Sequence, residues 1–422
     1  MGVVRYSAEC PGCKAGLTLR LGVGRDDRQP FFFVCPRCQA ATRGALHLRE
    51  RGGTELELSD GQLLDWNDRT DFTIHIHPEF PSVPDAPSLE QPGGSAFLTF
   101  FTMLGQERFL NFEAATQQLR SIVKSDWNAL QRLNTYYIKR DWDRFDVTLR
   151  TVAPQFAELI ADDWHRDAAV HNLYDVFLAP VCLLDPASLY LDMKTEWNGL
   201  WNPKDVHLRA MVAFARQEMA TQAFNDVQRD LFVLLERYIT NISALLPGLL
   251  CNLLPQEHQS KVDGSLRLFR DEYEILRDLY IQSFETCHKA LRWVVGLANA
   301  KASGSADSFS VPSTASVAPR KTPKNLAEFS KLVSAEKRAW LCLIPSWDSA
   351  WDAIFDRKLR NDIGHASAHH NLASGMILRE GSPPLAYTRF VSKAHRIIHG
   401  LLATMNALKI LRIWSNTTCT QI

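Results

Sequence analysis

Three polar residues near the C-terminal end of the chain have the chemical groups needed to bind a phosphate and to transfer a proton beside it. Arg360, Asn361 and His365 lie in the stretch 360–365, RNDIGH. Arginine carries a permanent charge and a planar fork of donors that matches phosphate, whereas histidine exchanges a proton near neutral pH. These residues are therefore the candidate catalytic residues of the chain.

A second set of reactive residues lies near the N-terminus, where four of the nine cysteines form two close pairs. Cys10 and Cys13 are separated from Cys35 and Cys38 by 21 residues with strand-like runs. Four thiolates at about 2.3 Å satisfy tetrahedral zinc and leave no open position for catalysis. The spacing therefore predicts a structural Zn²⁺ rather than unmetallated thiols. A redox role and a catalytic zinc are less favoured, because no βαβ pattern surrounds either pair and the metal is closed.

The composition is typical of a globular protein of two or three domains. Lysine plus arginine equal aspartate plus glutamate at 47 each, so the overall charge does not point to nucleic acid or to a membrane. The N-terminus lacks the apolar run and cleavage site of a secretory signal. The longest apolar stretches are short or broken by Pro247, His399 and Lys409. We therefore expect a cytoplasmic protein without a membrane segment.

The pattern of the sequence predicts a mainly α fold with a small N-terminal β-rich zinc ribbon. We expect three regions and one flexible insertion rich in Ser, Ala, Pro and Thr. They are residues 1–80 (ribbon with a short β extension over 55–58 and 72–77), 96–221 (helical, with no assigned role), 222–416 (a helical bundle) and the insertion 301–324. A Pro-rich connector at 78–94 separates the first two regions.

Within the predicted bundle, apolar periodicity predicts five helices and one hairpin. The helices are expected over 224–246, 266–298, 326–340, 346–365 and 387–414, and the hairpin over 376–387. The candidate catalytic residues then lie between a long helical pair and the last helix.

Charge is segregated in the first hundred residues. Residues 1–51 contain nine Lys or Arg and four acidic residues, whereas residues 52–95 contain one Arg and nine acidic residues. The ribbon could use this excess to contact phosphate, but packing of the two oppositely charged segments explains it equally well. His75 and His77 would share one face of a strand, and without a further partner we interpret them as packing or surface histidines.

The geometry of the 360–365 stretch sets a condition on its chemistry. At about 100° per residue, Arg360 and His365 differ by about 140° on a regular helix. They meet on one phosphate only if the helix is distorted, ends near Gly364, or lets the long arginine side chain reach round it. Alternatively, Arg360 acts at a site that a second copy of the chain completes. The same spacing recurs from Arg166 to His171. We interpret that copy as a helix surface, because Pro180 and Pro186 break the element soon after it.

A helical bundle with Arg-Asn-x-x-x-His before its last helix resembles the HEPN superfamily. The resemblance covers about residues 222–416 and is carried by Arg360, Asn361 and His365. It implies a metal-independent endoribonuclease, commonly with its site at a dimer interface. In that case Arg360 stabilises the phosphate charge, His365 moves protons and Asn361 orients one of them.

The resemblance also implies partners and a biological setting. RNA would be the substrate, a protein or nucleic acid would be the trigger, the chain would form a homodimer, and the protein would act as a toxin-like effector in antiviral (abortive infection) defence. The residues themselves add that Arg357, Lys358 and a basic stretch at 314–338 could assist RNA binding or serve solubility only. His369 and His370 could supply a second proton carrier or lie at a solvated helix end. The competing hypothesis is a non-catalytic module that binds nucleic acid or protein through the zinc ribbon and the bundle.

Overall fold

A computed structural model describes residues 2–49, 52–65, 70–83, 95–200, 202, 204–310, 321–364 and 368–416. Over these residues the protein is mainly α-helical, as predicted, with strands in the N-terminal region and in a short segment before the last helix.

The strands are β1 (Val3–Glu9), β2 (Gly16–Gly22), β3 (Arg28–Val34), β4 (Ala41–Leu48), β5 (Thr54–Leu58), β6 (Gln62–Leu64), β7 (Phe72–Ile76), β8 (His369–Asn371), β9 (Met376–Arg379) and β10 (Ser382–Ala386).

The helices are α1 (Ala96–Leu104), α2 (Gln106–Ser125), α3 (Trp127–Lys139), α4 (Trp142–Val152), α5 (Pro154–Ala157), α6 (Asp163–Leu183), α7 (Leu189–Asn198), α8 (Leu208–Met219), α9 (Gln222–Thr240), α10 (Ile242–Leu253), α11 (Gln259–Asp263), α12 (Tyr273–Ser303), α13 (Leu326–Lys331), α14 (Ser334–Arg338), α15 (Pro345–Ile354), α16 (Arg357–Gly364) and α17 (Tyr387–Ser415), with 3₁₀ turns at Gln256–His258 and Ala339–Leu343.

The chain groups into two compact units, each built from separate segments. Unit 1 draws on 1–114, 241–278 and 361–395, and unit 2 on 115–240, 279–360 and 396–422. The predicted region 222–416 therefore contributes to both units, because the long helices α12 and α17 each supply residues to both. The boundary expected near residue 221 does not coincide with a boundary between the units.

Unit 1 contains the ribbon. Strands β6, β1, β2 and β7 form one sheet in that order, with β7 parallel to β2, and strands β3, β4 and β5 form another. Alternate residues of β2, Leu17, Leu19 and Leu21, are fully buried in the ribbon core, as expected for strands with one packed face. The two strands predicted over 55–58 and 72–77 are confirmed and extend these sheets.

His77 is part of this packing. Its ring is 5 % exposed, and its Nδ1 accepts hydrogen bonds from the backbone amides of Glu79 (3.1 Å) and Phe80 (3.2 Å). Gly22 makes room for it, because a Cβ on Gly22 would lie 2.1 Å from the ring. His77 is a packing histidine, in line with the sequence interpretation.

Acid should therefore destabilise this part of the fold. Burial, and next the charge of the N-terminus, lower the pKa of His77 to about 3, whereas an unfolded histidine titrates near 6.5. The stabilisation that neutral, buried His77 contributes to the fold is complete above pH 6.5. It is lost as the pH falls toward 3, by at most about 1.4 kcal/mol per pH unit for this one group. Between pH 7 and 5, the free energy of unfolding should fall more in the wild type than in His77→Asn, whose amide oxygen can still accept. Equal losses in urea titrations of the two proteins would contradict this assignment.

Four of the five predicted helices are wrong in their extent. The helix expected over 224–246 is divided at Asn241 into α9 and α10, and asparagine is a residue that favours helix starts over helix interiors. The helix expected from residue 266 begins only at Tyr273, because the backbone at 267–269 bonds instead to Ser82 and Phe32. The helix expected over 326–340 is divided into α13, α14 and a 3₁₀ turn.

The helix expected over 346–365 is divided as well, into α15 and α16. Asp356 begins α16, since its Oδ1 accepts the Leu359 amide at 2.9 Å and its own amide donates to the Tyr280 hydroxyl at 2.8 Å. Aspartate before a helix satisfies donors that lack an intrahelical partner. The hairpin and the last helix are confirmed, and β8 adds a third strand to the hairpin.

Removing the Asp356 side chain, which caps α16, should weaken the helix that carries the candidate site. Asp356→Ala is expected to lower the free energy of unfolding by about 1 kcal/mol. The matched control is Asp352→Ala, which removes an exposed carboxylate paired with Arg338 and should cost less than about 0.5 kcal/mol. Guanidinium unfolding curves of the two variants compare these values, and equal losses would exclude the capping role.

The last helix is long and apolar enough to cross a membrane by length and composition. However, 83 % of its most apolar window is buried within the protein. This burial is the property of a core helix.

Candidate functional site

The four N-terminal cysteines converge on one point within unit 1. Cys10 and Cys13 lie on the turn between β1 and β2, and Cys35 and Cys38 on the turn between β3 and β4. All four Sγ atoms lie within 4.8 Å of one another, and the Cys10–Cys38 and Cys13–Cys35 sulfur pairs are each 3.6 Å apart. Sulfur atoms at about 2.3 Å from a tetrahedral zinc would be about 3.8 Å apart. The four thiols therefore fit the ligand set of one metal ion.

The two turns repeat the same backbone structure. Lys14 (φ 60°) and Gln39 (φ 61°) follow the second cysteine of each pair in the left-handed conformation, and their amides donate to the carbonyls of Cys10 (3.0 Å) and Cys35 (2.9 Å). A Cβ on Gly12 would lie 3.3 Å from the Cys38 sulfur, so glycine allows the first turn to approach the thiols closely. The same turn thus forms twice and presents four sulfurs to one centre.

The surroundings of the thiols change their pKa values in opposite directions. Burial acts to raise the pKa of Cys10, but the backbone amides of Cys13 and Gly12 outweigh it and the pKa falls to about 7. Burial raises the pKa of Cys35 to about 12. Since a metal binds the thiolate form, binding must remove protons from the more buried cysteine as well.

Arg360 lies on α16 within a small cluster of unit 2. Its guanidinium forms an ion pair with Glu285 of α12 and lies 5.9 Å from the ring centroid of Phe284. About a third of the arginine side chain is exposed to solvent. The ion pair and the ring fix the position of the guanidinium while leaving part of it accessible.

The other two candidate catalytic residues are less completely described. Asn361 is exposed on α16, on the side opposite the apolar Leu359 and Ile363, which are buried. His365 lies outside the described residues, which end at Gly364 and resume at residue 368. Arg360 and Asn361 are thus consecutive residues of α16 that both reach solvent, and the meeting of Arg360 with His365 stays a prediction.

The histidines proposed as a second proton carrier are in a different setting from the expected helix end. Both lie on strand β8. The His370 side chain is 2 % exposed, contacts Asp271 at 3.3 Å through Nδ1 and stacks on Tyr387 with ring centroids 4.0 Å apart. His370 is therefore a packed residue of unit 1, whereas His369 is exposed.

Sequence reasoning missed a histidine close to Arg360. The His288 ring stacks on Phe284 at 4.0 Å, donates through Nδ1 to the Phe284 carbonyl at 2.8 Å and accepts the indole N–H of Trp351 at 3.3 Å. Burial, and also the charges of Lys337 and Arg360, lower its pKa to about 4. His288 is thus a neutral imidazole at pH 7 whose two nitrogens are occupied. The spacing of residues along α12 does not predict that His288 lies close to Arg360. This position depends on packing against α15 and α16, which lie about 60–70 positions further along the chain.

The second Arg-x-x-x-x-His copy is structural. Arg166 pairs with Asp146 at 2.6 Å and with Asp163 at 3.0 Å, and its guanidinium lies over the ring of Trp142. His171 is 1 % exposed and hydrogen-bonds Gln228 at 3.0 Å. Arg166 and His171 therefore have separate partners, which lie on α4, α6 and α9. His171 is a buried residue, so the sequence interpretation of this copy as a helix surface is wrong for the histidine.

The basic residues near the candidate site divide into two groups. Arg357 and Lys358 are exposed on the first turn of α16. In the stretch 314–338, of which residues 321–338 are described, Lys321 pairs with Glu336 at 3.4 Å and Arg338 pairs with Asp348 and Asp352. Two of the basic residues in the described part of the stretch are therefore engaged by carboxylates, whereas Lys324 and Lys331 are exposed, like Arg357 and Lys358.

Comparison with known proteins gives no assignment, since no protein-family model, no curated protein and no solved structure matches this chain.

Proposed function

We propose that this chain is a metal-independent endoribonuclease of the HEPN type, with Arg360, Asn361 and His365 as its catalytic residues. The observation that carries the proposal is the solvent-facing side of α16. On that side, Arg360 is held by Glu285 and Phe284, Asn361 is exposed, and Arg357 and Lys358 add charge.

The chemistry follows from these groups. His365 removes the proton of a ribose 2′-hydroxyl, the 2′-oxygen bonds to the neighbouring phosphorus, and the 5′-oxygen leaves and takes up a proton. The products are a 2′,3′-cyclic phosphate and a 5′-hydroxyl. Arg360 stabilises the charge that develops on the phosphoryl oxygens, which requires the substrate phosphate to compete with Glu285 for the guanidinium. Asn361 orients the histidine or the arginine by hydrogen bonding.

The metal of the four-cysteine centre is proposed to be Zn²⁺ in a structural role. Zinc suits a set of four thiolates in a tetrahedron, and such a set leaves no position for water or substrate. When bound, zinc would link the β1–β2 turn to the β3–β4 turn through Cys10, Cys13, Cys35 and Cys38.

Analysis of RNA ends tests the proposal. The purified wild-type chain is incubated with total RNA in EDTA, and the new ends are mapped and their phosphates identified. We expect 2′,3′-cyclic phosphate and 5′-hydroxyl ends that form without divalent cations. If cleavage yields 5′-phosphate ends, or if it requires added Mg²⁺, the proposed chemistry is wrong.

One observation favours the second candidate, a non-catalytic module that binds nucleic acid or protein. The ion pair of Arg360 with Glu285 and its contact with Phe284 also suit a purely structural arginine. In that case Arg360→Ala should lower the free energy of unfolding and leave RNA binding in place, and the wild type should release no new RNA ends.

The proposed biological role is that of an effector in antiviral defence, acting as a homodimer and restrained until a protein or nucleic-acid trigger binds. The zinc ribbon and the middle helices would sense the trigger. Expression of the wild type in bacterial cells should slow growth only when the trigger is present, and a His365→Ala chain should not slow it.

A further inference from the structure

Two arginines and a histidine lie side by side on the outer face of the first ribbon sheet. Arg5 of β1 is opposite Arg20 of β2, and Arg20 is opposite His75 of β7. Side chains opposite each other on adjacent strands are about 5 Å apart at Cβ, and like charges in such positions repel. Burial and the charge of Arg5 lower the pKa of Arg20, and burial with the charges of Arg20 and Arg5 lowers the pKa of His75.

These side chains have no carboxylate partner within the described part of the chain. The guanidinium Nε of Arg20 is buried and lacks a hydrogen-bond partner there. A buried donor without a partner destabilises the fold, and the repulsion between like charges adds to this destabilisation. A bound anion therefore explains the unpaired guanidinium Nε of Arg20 in this part of the chain better than packing does.

A small cavity adjoins these side chains and contains a second donor without a partner. It has a volume of about 30 Å³ and is lined by Arg20, His75 and Ser82, among others. Ser82 is 5 % exposed, and its Oγ has no hydrogen-bond partner among the described residues. Its backbone is fixed by two hydrogen bonds of 2.8 Å with Arg267, so the hydroxyl is held in place.

The first turn of a helix opens at the same cavity. Ser95 and Ala96 line it, and Ser95 is the N-cap of the nine-residue helix α1. The N-terminus of a helix carries a partial positive charge that favours anions. A cavity of this volume is far smaller than the roughly 300 Å³ or more of typical small-molecule sites. Its size suits one compact group.

From this geometry we propose that Arg20, His75 and Ser82 bind a single phosphate group, with Arg5 and the N-terminus of α1 adding positive charge. Arg20 donates to the phosphate through its guanidinium and Ser82 through its hydroxyl. The phosphate belongs either to an RNA strand or to a free small molecule. The site uses none of the candidate catalytic residues, so it stands or falls independently of the proposed ribonuclease activity.

Calorimetric titration of the full-length chain with inorganic phosphate, in a buffer free of phosphate and sulfate, tests the site. The wild type should bind phosphate saturably and gain thermal stability as phosphate is added. Arg20→Gln should weaken binding by about tenfold or more. Ser82→Ala should weaken it by a smaller factor without loss of stability, because the hydroxyl has no hydrogen-bond partner among the described residues.

Arg28→Gln is the matched control, because Arg28 is an exposed arginine on strand β3 of the other ribbon sheet, and it should bind phosphate like the wild type. The absence of saturable binding, or equal affinities in the wild type, Arg20→Gln and Ser82→Ala, would overturn the proposal.

Competition with 2′-O-methyl RNA oligonucleotides, which lack the 2′-hydroxyl nucleophile, identifies the source of the phosphate. Displacement by a 5′-phosphorylated strand alone assigns a strand end, and displacement by 5′-hydroxyl strands as well assigns an internal phosphate. Binding of phosphate that neither strand displaces assigns a free phosphate or a mononucleotide.

Discussion

Replacing His365 by Ala should lower the rate of RNA cleavage by about 10²- to 10⁴-fold, the contribution of a positioned general acid or base. Arg360→Ala should lower it by about 10²- to 10³-fold, because a donor to the developing oxyanion is lost. Arg360→Lys should recover only part of this loss, since lysine keeps the charge but lacks the planar fork. Cleavage rates under single-turnover conditions separate these effects from changes in RNA binding.

Two neighbouring residues provide matched controls. Arg357 is exposed on the same helix α16, and His369 is exposed on strand β8. Arg357→Ala should weaken RNA binding modestly without changing the rate at saturating RNA. His369→Ala should lower the rate by less than His365→Ala does, because His369 is a candidate for the second proton carrier only. If Arg360→Ala and His365→Ala cleave at the wild-type rate, the nuclease assignment fails. If the controls lose as much activity as the catalytic variants, the assignment to these residues fails.

Mixing the two inactive variants tests whether the site is shared between two copies of the chain. In a mixed dimer, the His365→Ala chain supplies Arg360 and the Arg360→Ala chain supplies His365. Cleavage should reappear on mixing if each site combines residues from both copies. It should stay at the level of the single variants if one chain supplies both residues.

The second large effect concerns the four-cysteine centre. Cys35→Ser should reduce bound zinc from one ion per chain to near zero, because three thiolates no longer close the tetrahedron. The apparent binding free energy of structural zinc is about 10–16 kcal/mol in small zinc domains, which is as large as the stability of a typical domain. The ribbon should therefore lose its structure when the metal is lost.

The structure indicates how far this loss should extend. The ribbon core includes Phe269, whose carbonyl accepts the Phe32 amide at 3.0 Å. Hydrogen exchange in Cys35→Ser should therefore rise over residues 2–58 and also around Phe269. The control is Cys342→Ser, a partly buried cysteine of unit 2, which should keep its zinc and its exchange pattern. Unchanged zinc content in Cys35→Ser would contradict the proposed ligand set.

Features that depend on neighbouring residues were predictable from the sequence. The two cysteine turns close through hydrogen bonds between residues four or five positions apart, and their spacing predicted both the turns and the convergence of the thiols. The last helix and the hairpin before it were also predicted, because their apolar periodicity is strong and is bounded by turn residues. The strands at 54–58 and 72–76, which lie in different sheets, were predictable because polar and apolar residues alternate along them.

Two of the predicted helices failed where a distant group competes with the helix for the backbone. At Asp356 the amide bonds to Tyr280, which is 76 positions away, and at 267–269 the backbone bonds to Ser82 and Phe32. Periodicity continues through such positions, because the pattern reports which side chains are buried and not where the backbone hydrogen bonds go.

The sequence by itself determined the residue types that can do chemistry: four thiols at the spacing of a metal site, and an arginine, an asparagine and a histidine near one helix. Only the tertiary structure decided what surrounds them. It placed Glu285 and Phe284 against Arg360, buried His370, and aligned Arg5, Arg20 and His75 beside Ser82, whose hydroxyl has no hydrogen-bond partner in the described part of the chain. The physical reason is that strand register and helix packing bring together residues from distant parts of the chain, and neither is encoded in the spacing of any single segment.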